Sequence, residues 1–185
     1  MLKQIIRNLN KNRAETVVSR VNPFLTTATK LIDIGSGTGD VAILLKKQGK
    51  EVTPVDVANF HWYRNLQPII YDGITLPFPD QTFDTALILM VMHHTPNPNK
   101  IFAEASRVAN EIVVIETSYT NLIHKIYTVV TDLIGNLQIV GFWNSYKTDE
   151  SWKSFFITHG FGIKECHKYW DLGILHISYH LTRKR

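Results

Sequence analysis

Residues 30–40, KLIDIGSGTGD, end a short apolar run in an aspartate and follow it with three glycines spaced by single residues. Leu31, Ile32 and Ile34 read as a buried strand, and Gly35, Gly37 and Gly39 as the turn that leads from it into a helix. Glycines at these places allow positive φ and let a ligand lie against bare backbone, while the helix N-terminus offers free N–H donors. Two further carboxylates stand at comparable points. Asp56 closes the run EVTPV, 17 residues beyond Gly39, where it is placed to accept hydrogen bonds from two ribose hydroxyls. Asp72 follows the apolar residues 68–71 and is placed to accept from an exocyclic adenine amine. Alone, the glycine loop fits a plain turn as well as a nucleotide loop, and each aspartate fits a solvated cap. Together, three carboxylates on successive strand ends point to a ligand at the C-terminal edge of a sheet.

The elements that must hold them alternate. After an N-terminal amphipathic helix and a break at Asn22-Pro23, the strand at Leu31–Ile34 is followed by a helical stretch with Val41, Leu44 and Leu45 on one face and Gly49 as its cap. Strands are expected at EVTPVD, at residues 68–71, over FDTALILMVM and over EIVVIE, with a helix at NPNKIFAEASRVAN and a short one near Phe60 to Leu66. This alternation predicts an α/β, doubly wound, mostly parallel sheet. A helix over about 149–158 and two strands, GIKECHKY and GILHISYHLT, end the chain. The short Trp170-Asp171 connection leaves no room for a crossover, so these two strands must pair antiparallel.

At 185 residues the chain suits a single domain, spanning 1–185. A net charge of +4 from scattered basic residues gives no argument for nucleic acid. Cys166 is the one cysteine, so there is neither a disulfide framework nor a thiolate metal cage, no metal ligand set is assigned, and a reducing, cytoplasmic setting fits. The start MLKQIIRNLNKNR lacks the unbroken apolar stretch of a signal peptide. Residues 119–143 contain His124, Lys125 and Asp132, whereas a spanning helix wants about 20 largely uncharged residues. No transmembrane segment is expected.

IDIGSGTGD resembles the first motif of class I S-adenosylmethionine-dependent methyltransferases. YDGITLPFPDQTFDTALILMVMHHT is similar to the stretch that marks the small "type 11" methyltransferase group within them, and AEASRVANEIVVIE resembles its following helix, with Glu104 and Arg107, and its fifth strand. The likeness covers roughly residues 30–118. It implies a Rossmann-like methyltransferase fold with seven strands in the order 3-2-1-4-5-7-6, strand 7 antiparallel, and S-adenosyl-L-methionine as cofactor. Carried over, Gly35, Ser36, Gly37 and Gly39 would pass the methionyl part and Asp33 would reach its amino group. Asp56 would bind the ribose, Val57 would pack on the adenine, Asp72 and Gly73 would meet its edge, and the backbone near Leu89 would contact the amine. The chain departs from the group in three places: NFHWYRN replaces a longer helix, leaving Phe60 or Trp62 to build the adenine pocket; Ile88 and Leu89 replace polar residues; and Ala109-Asn110 makes a tight turn into the fifth strand.

The acceptor is less legible. LMVMHHT stands where nucleic-acid amino-methylating enzymes carry an Asn/Asp-Pro-Pro-aromatic motif, and a single cysteine argues against multi-thiol arsenic chemistry. Small-molecule acceptors, lipophilic ones included, remain, methylated by direct displacement, with no nucleic-acid partner. His94, and less so His93, stand where the methyl must leave and titrate near neutral pH, so His94 is the candidate general base. Residues 1–29 read as a helical cap, in which Arg13 is placed to pair with the cofactor carboxylate. Residues 117–148 read as a lid-like insert whose Tyr119, His124, Tyr127, Trp143 and Tyr146 would line an acceptor pocket. The rival readings are a nicotinamide oxidoreductase, which lacks a Tyr-x-x-x-Lys pair here, and a non-catalytic cofactor-binding or membrane-surface module making peripheral contact with lipid.

Overall fold

The computed structural model describes residues 2–136 and 143–184, so Met1, Arg185 and residues 137–142 of the expected insert lie outside the described residues. Helix α1 (Leu2–Val21) turns Ala14, Val17, Val18 and Val21 inward, at the three-to-four-residue spacing of one helical face. A 3-10 turn at Asn22–Leu25 follows, where proline fixes the break. Strand β1 (Lys30–Ile34) leads to α2 (Asp40–Lys47), β2 (Glu51–Asp56) and the two-residue β3 (Ile69–Ile70). Then come β4 (Phe83–Leu89), α3 (Pro98–Val108), β5 (Ala109–Ser118), α4 (Leu122–Asn136), α5 (Asp149–Thr158), β6 (Phe161–Asp171) and β7 (Ile174–Arg183).

The seven strands form one sheet in the order β3-β2-β1-β4-β5-β7-β6. β1 to β5 pair in parallel, whereas β7 runs antiparallel to both β5 and β6. This is the order and the antiparallel seventh strand expected from the sequence. Ile34 lies level with Val55 on one side and Ile88 on the other, so β1, β2 and β4 deliver their C-terminal ends to one edge. Each face carries its own core. Val17, Leu25 and Leu45 pack with Leu31, Leu87 and Val113 on one side. Phe102, Trp152, Phe156 and Tyr179 pack with Ile32, Ile88 and Val114 on the other. Side chains on alternate positions of the same buried strands thus serve opposite layers, as a doubly wound sheet requires.

Three local expectations change. β4 stops at Leu89, because Met90 adopts φ 60 and donates its N–H to Ile115 O at 2.7 Å, after which Met92–His94 form a 3-10 turn. The β6–β7 turn is Leu172-Gly173, with φ 48 and 80, and Trp170 and Asp171 remain in the strand. No helix forms over Phe60 to Leu66. There Asn59 accepts the His61 N–H and the His61 ring bonds to Leu66 O, local bonds that compete with a helical ladder.

Arg107 explains the Leu-Pro-Phe-Pro-Asp stretch. Its guanidinium donates to Leu76 O, Phe78 O, Asp80 and Glu104 at 2.7–3.0 Å, while Glu104 accepts the Leu76 N–H. The pair holds an irregular loop whose carbonyls have no strand partner.

Candidate functional site

The strand ends open on a cleft of about 880 Å³. Asp33, Gly35, Ser36, Gly37, Asp56, Val57, Asp72, Gly73, Leu89 and His94 all line it. Of the expected contact residues only Gly39 is absent from the lining. Its φ of 79 makes the turn into α2, and a Cβ there would sit 2.8 Å from the His61 ring. Gly35 is equally confined, since a Cβ would meet Val91 at 2.6 Å. Gly37, at φ 53, has nothing within 4 Å of a Cβ position and so presents bare backbone to open space.

The loop is tied down from behind. Gly35 and Ser36 donate their N–H groups to Val55 O at 2.9 and 3.1 Å, and Gly37 donates to Asp56 Oδ2 at 2.8 Å. The Ser36 hydroxyl lies 2.9 Å from His61 Nε2, and His61 Nδ1 lies 2.6 Å from Leu66 O. A carbonyl only accepts, so Nδ1 carries a proton and donates to Leu66 O. His61 therefore replaces, as a prop beneath the glycines, what a longer helix would supply. Among the aromatics of this segment, Phe60 lines the cleft and Trp62 does not.

Asp33 is 2% exposed and its Oδ2 has no hydrogen-bond partner. Burial first, and the neighbouring Asp56 second, push its carboxyl up to about 7. An orphaned buried acceptor in a cleft wants a cationic donor, and the ammonium of a methionyl group is one. Asp56 accepts from Gly37 and Val57 and keeps further lone pairs for ribose hydroxyls. Asp72 spends Oδ1 on the N–H groups of Thr75 and Ile74, which hold its carboxyl below the usual range. The donor set thus fits S-adenosylmethionine at its amine, ribose and adenine edge. From α1, Asn10, Arg13, Ala14 and Val17 form the facing wall.

Beyond Leu89 the two histidines part. His94 lines the cleft, whereas His93 is 1% exposed with Nδ1 2.5 Å from Glu116 Oε2. Burial lowers the His93 pKa but the charges of Glu116 and Asp132 outweigh it, so the net shift is upward. Glu116 Oε1 also accepts the Val91 and Met92 N–H groups, which sets the 3-10 turn that carries both rings. Asp132, from α4, lies 3.6 Å from His94 Nε2 and accepts from the Tyr146 hydroxyl at 2.6 Å. The sequence reading passed over Glu116 and Asp132 as site residues.

The expected acceptor-pocket aromatics are not in this cleft. His124 stacks on Trp170 and bonds to Gly173 O, and Tyr127 donates to Leu172 O, so both dock the hairpin tip. Trp143 and Tyr119 flank the Lys125 ammonium. From α4 it is Thr128, Thr131 and Asp132 that line a smaller adjoining cleft, together with Arg13, Met90 and His176.

Residues 32–111 match the family model described as a methyltransferase domain. The ubiquinone/menaquinone biosynthesis C-methyltransferase UbiE of Rickettsia bellii is 29% identical over a 98-residue alignment that covers 43% of this chain and 40% of that protein. The chain thus spans less than half the length of that relative. A Pyrococcus horikoshii protein shares the fold with a TM-score of 0.71 at 18% identity, over 95% of this chain and 91% of that one. The magnesium protoporphyrin IX methyltransferase of Synechocystis, solved with bound SAH, gives 0.66 at 18% identity, over 100% and 88%. The sheet order, the glycine loop with its carboxylates, and the match over residues 32–111 agree: that segment is similar to the methyltransferase domain, on a fold shared with a solved methyltransferase.

Proposed function

We propose that the protein transfers the methyl group of S-adenosylmethionine by direct displacement to a small, lipophilic acceptor of the quinone-precursor class. The observation that carries this is the convergence of Asp33, Asp56, Gly37 and His94 on one cleft, with a partnerless buried oxygen where a cationic amine would sit. The acceptor class is taken from the Rickettsia relative, whose name specifies quinone C-methylation.

The bound cofactor supplies a sulfonium whose methyl is already activated, so the chain's task is positioning. Asp33 receives the ammonium, Asp56 the ribose hydroxyls, and Val57, Asp72 and Gly73 enclose the adenine, with the Leu89 backbone at the amine. Arg13 faces the cofactor carboxylate from α1, which with residues 22–29 acts as a cap. His94, beside Asp132, is the group placed to take a proton from the acceptor. The insert 117–148 acts as a lid over the acceptor side.

A lipophilic acceptor suggests that the protein works at a lipid surface. No described helix is long and apolar enough to cross a membrane. Yet Leu122, Ile123, Ile126 and Val130 of α4 are exposed beside Trp170 and Leu172, which is 93% exposed. Peripheral contact through this face, in a cytoplasmic setting that suits the free, half-buried Cys166, fits both features.

Calorimetry with S-adenosylmethionine, S-adenosylhomocysteine and NAD tests the cofactor, and transfer from labelled cofactor across phenols and quinone precursors tests the reaction. Binding of NAD alone would overturn the reading. Tight adenosyl binding with no transfer across the panel would favour a non-catalytic module.

A further inference from the structure

The 3-10 turn after β4 and the middle of α4 bring two imidazoles and a carboxylate to one point. His93 Nε2 lies 3.7 Å and His94 Nε2 3.6 Å from Asp132 Oδ2, and one ligand atom from each residue falls within 4.8 Å of the others. A tetrahedral ion with bonds of about 2.0–2.1 Å sets its ligand atoms roughly 3.3 Å apart. The two imidazole–carboxylate distances exceed that by a few tenths of an ångström, and the imidazole pair, within 4.8 Å, would close by rotamer adjustment.

A second observation concerns the back of the cluster. Glu116 is fully buried, accepts two backbone N–H groups on Oε1 and sets Oε2 against His93 Nδ1. With Nδ1 of His93 engaged by Glu116 Oε2, Nε2 is the nitrogen that faces Asp132 and would ligate an ion. That Nε2 is buried and has no hydrogen-bond partner. A carboxylate on the far nitrogen of a histidine is the usual support of a metal-ligating imidazole, because it fixes the tautomer and raises ligand basicity. The Tyr146 hydroxyl donates to Asp132 Oδ2, the oxygen that faces both rings, and so fixes its position.

We propose that His93, His94 and Asp132 bind one divalent first-row transition ion of the zinc class. Two nitrogens and one oxygen suit zinc, cobalt or ferrous iron and do not suit magnesium or calcium, which prefer oxygen throughout. The charges of Glu116 and Asp132 offset that of the ion. His94 lines the cofactor cleft and Asp132 the adjoining one, so the ion would lie where the two clefts meet. An acceptor oxygen would bind there, and His94 would then act as a ligand instead of a base. The use of the ion rests on the methyl-transfer reading, whereas its binding does not.

The test uses the full chain, stripped with chelator and titrated with Co²⁺ under visible absorption, then with Zn²⁺ in competition. One saturable Co²⁺ per chain with ligand-field bands, displaced by Zn²⁺, is expected. Asp132→Asn and His94→Gln should each weaken binding at least tenfold, and Glu116→Gln by about tenfold to a hundredfold, with far-ultraviolet dichroism unchanged. Absence of the bands overturns the proposal, and so does Co²⁺ binding indifferent to Asp132→Asn and His94→Gln, since that places the ion on other histidines of the eight in the chain. Calorimetry of S-adenosylmethionine on the same stripped protein reports separately on the methyl-transfer reading, because Asp33 and Asp56 need no ion.

Discussion

Asp33 and Asp56 end neighbouring parallel strands and face one cleft, and the negative charge of Asp56 adds to burial in holding Asp33 protonated up to about pH 7. An unfolded aspartate titrates at 3.8, so the folded chain retains a proton between the two values that the unfolded chain has lost. The stability Asp33 contributes relative to a neutral amide is complete below about pH 4 and is lost as pH rises through 7.

The ligand-free protein should therefore lose stability from pH 4 to 7 more steeply than Asp33→Asn does. The difference should be on the order of 2–4 kcal/mol and level above pH 7. Urea midpoints at several pH values measure it; parallel curves for the two proteins would refute the assignment. An ammonium ligand favours the carboxylate, so below pH 7 the wild type should release a proton on binding S-adenosylmethionine. Calorimetry in buffers of different ionisation enthalpy reads that proton directly.

Gly35 and Gly37 should separate folding from binding. Gly35→Ala drives a methyl into Val91 at positive φ and should cost several kcal/mol of stability. Gly37→Ala meets no protein atom, so it should cost only about 1–2 kcal/mol from its left-handed backbone. Yet it should weaken S-adenosylmethionine at least tenfold, because its methyl occupies the ligand's side of the loop. Equal loss of melting temperature in the two variants would count against this division.

Arg107→Ala removes the donor to Phe78 O, leaves Leu76 O with the Phe78 N–H alone, and takes from Glu104 its cationic partner. A loss of about 2 kcal/mol is expected in chemical unfolding. Arg107→Lys should restore less than half of it, since an ammonium lacks the planar fork that reaches both carbonyls and the carboxylate. Full rescue by lysine would show that charge alone matters.

Leu172 holds φ 48 at the tip of the β6–β7 hairpin, a conformation that favours Asn or Gly, and its side chain is almost wholly exposed. Leu172→Asn should raise stability by about 0.5–1 kcal/mol. Together with Ile123→Asp it should also reduce flotation with vesicles carrying a quinone precursor. Unchanged flotation would remove the hairpin tip and α4 from any lipid contact.

The sheet and the carboxylates and glycines that line the cleft were legible in the sequence because their signals are local. Ile32 and Ile34 announce a buried strand, Gly35 to Gly39 announce a turn, and Asp56 sits at the end of its own apolar run. The lid aromatics were misjudged because helical spacing says which residues share a face but not what that face meets. Tyr127 and His124 face the hairpin tip, 45 and 49 residues further along the chain. The helix expected at Phe60 failed for a related reason, since the partners of the His61 ring are Ser36 in the glycine loop and the carbonyl of Leu66.

The sequence by itself determined the alternation of strands and helices, the glycine loop and the three carboxylates, since each is encoded by periodicity and turn chemistry within about ten residues, whereas the strand order came only as what the family resemblance implied. Tertiary structure alone decided that His61 props the loop and that Arg107 clamps residues 76–80. It alone brought Glu116, His93, His94 and Asp132 together from β5, the turn after β4 and α4. These contacts join polar residues with no periodic signal, and the bonds exist only once packing has paired distant segments and excluded the water that would otherwise satisfy them.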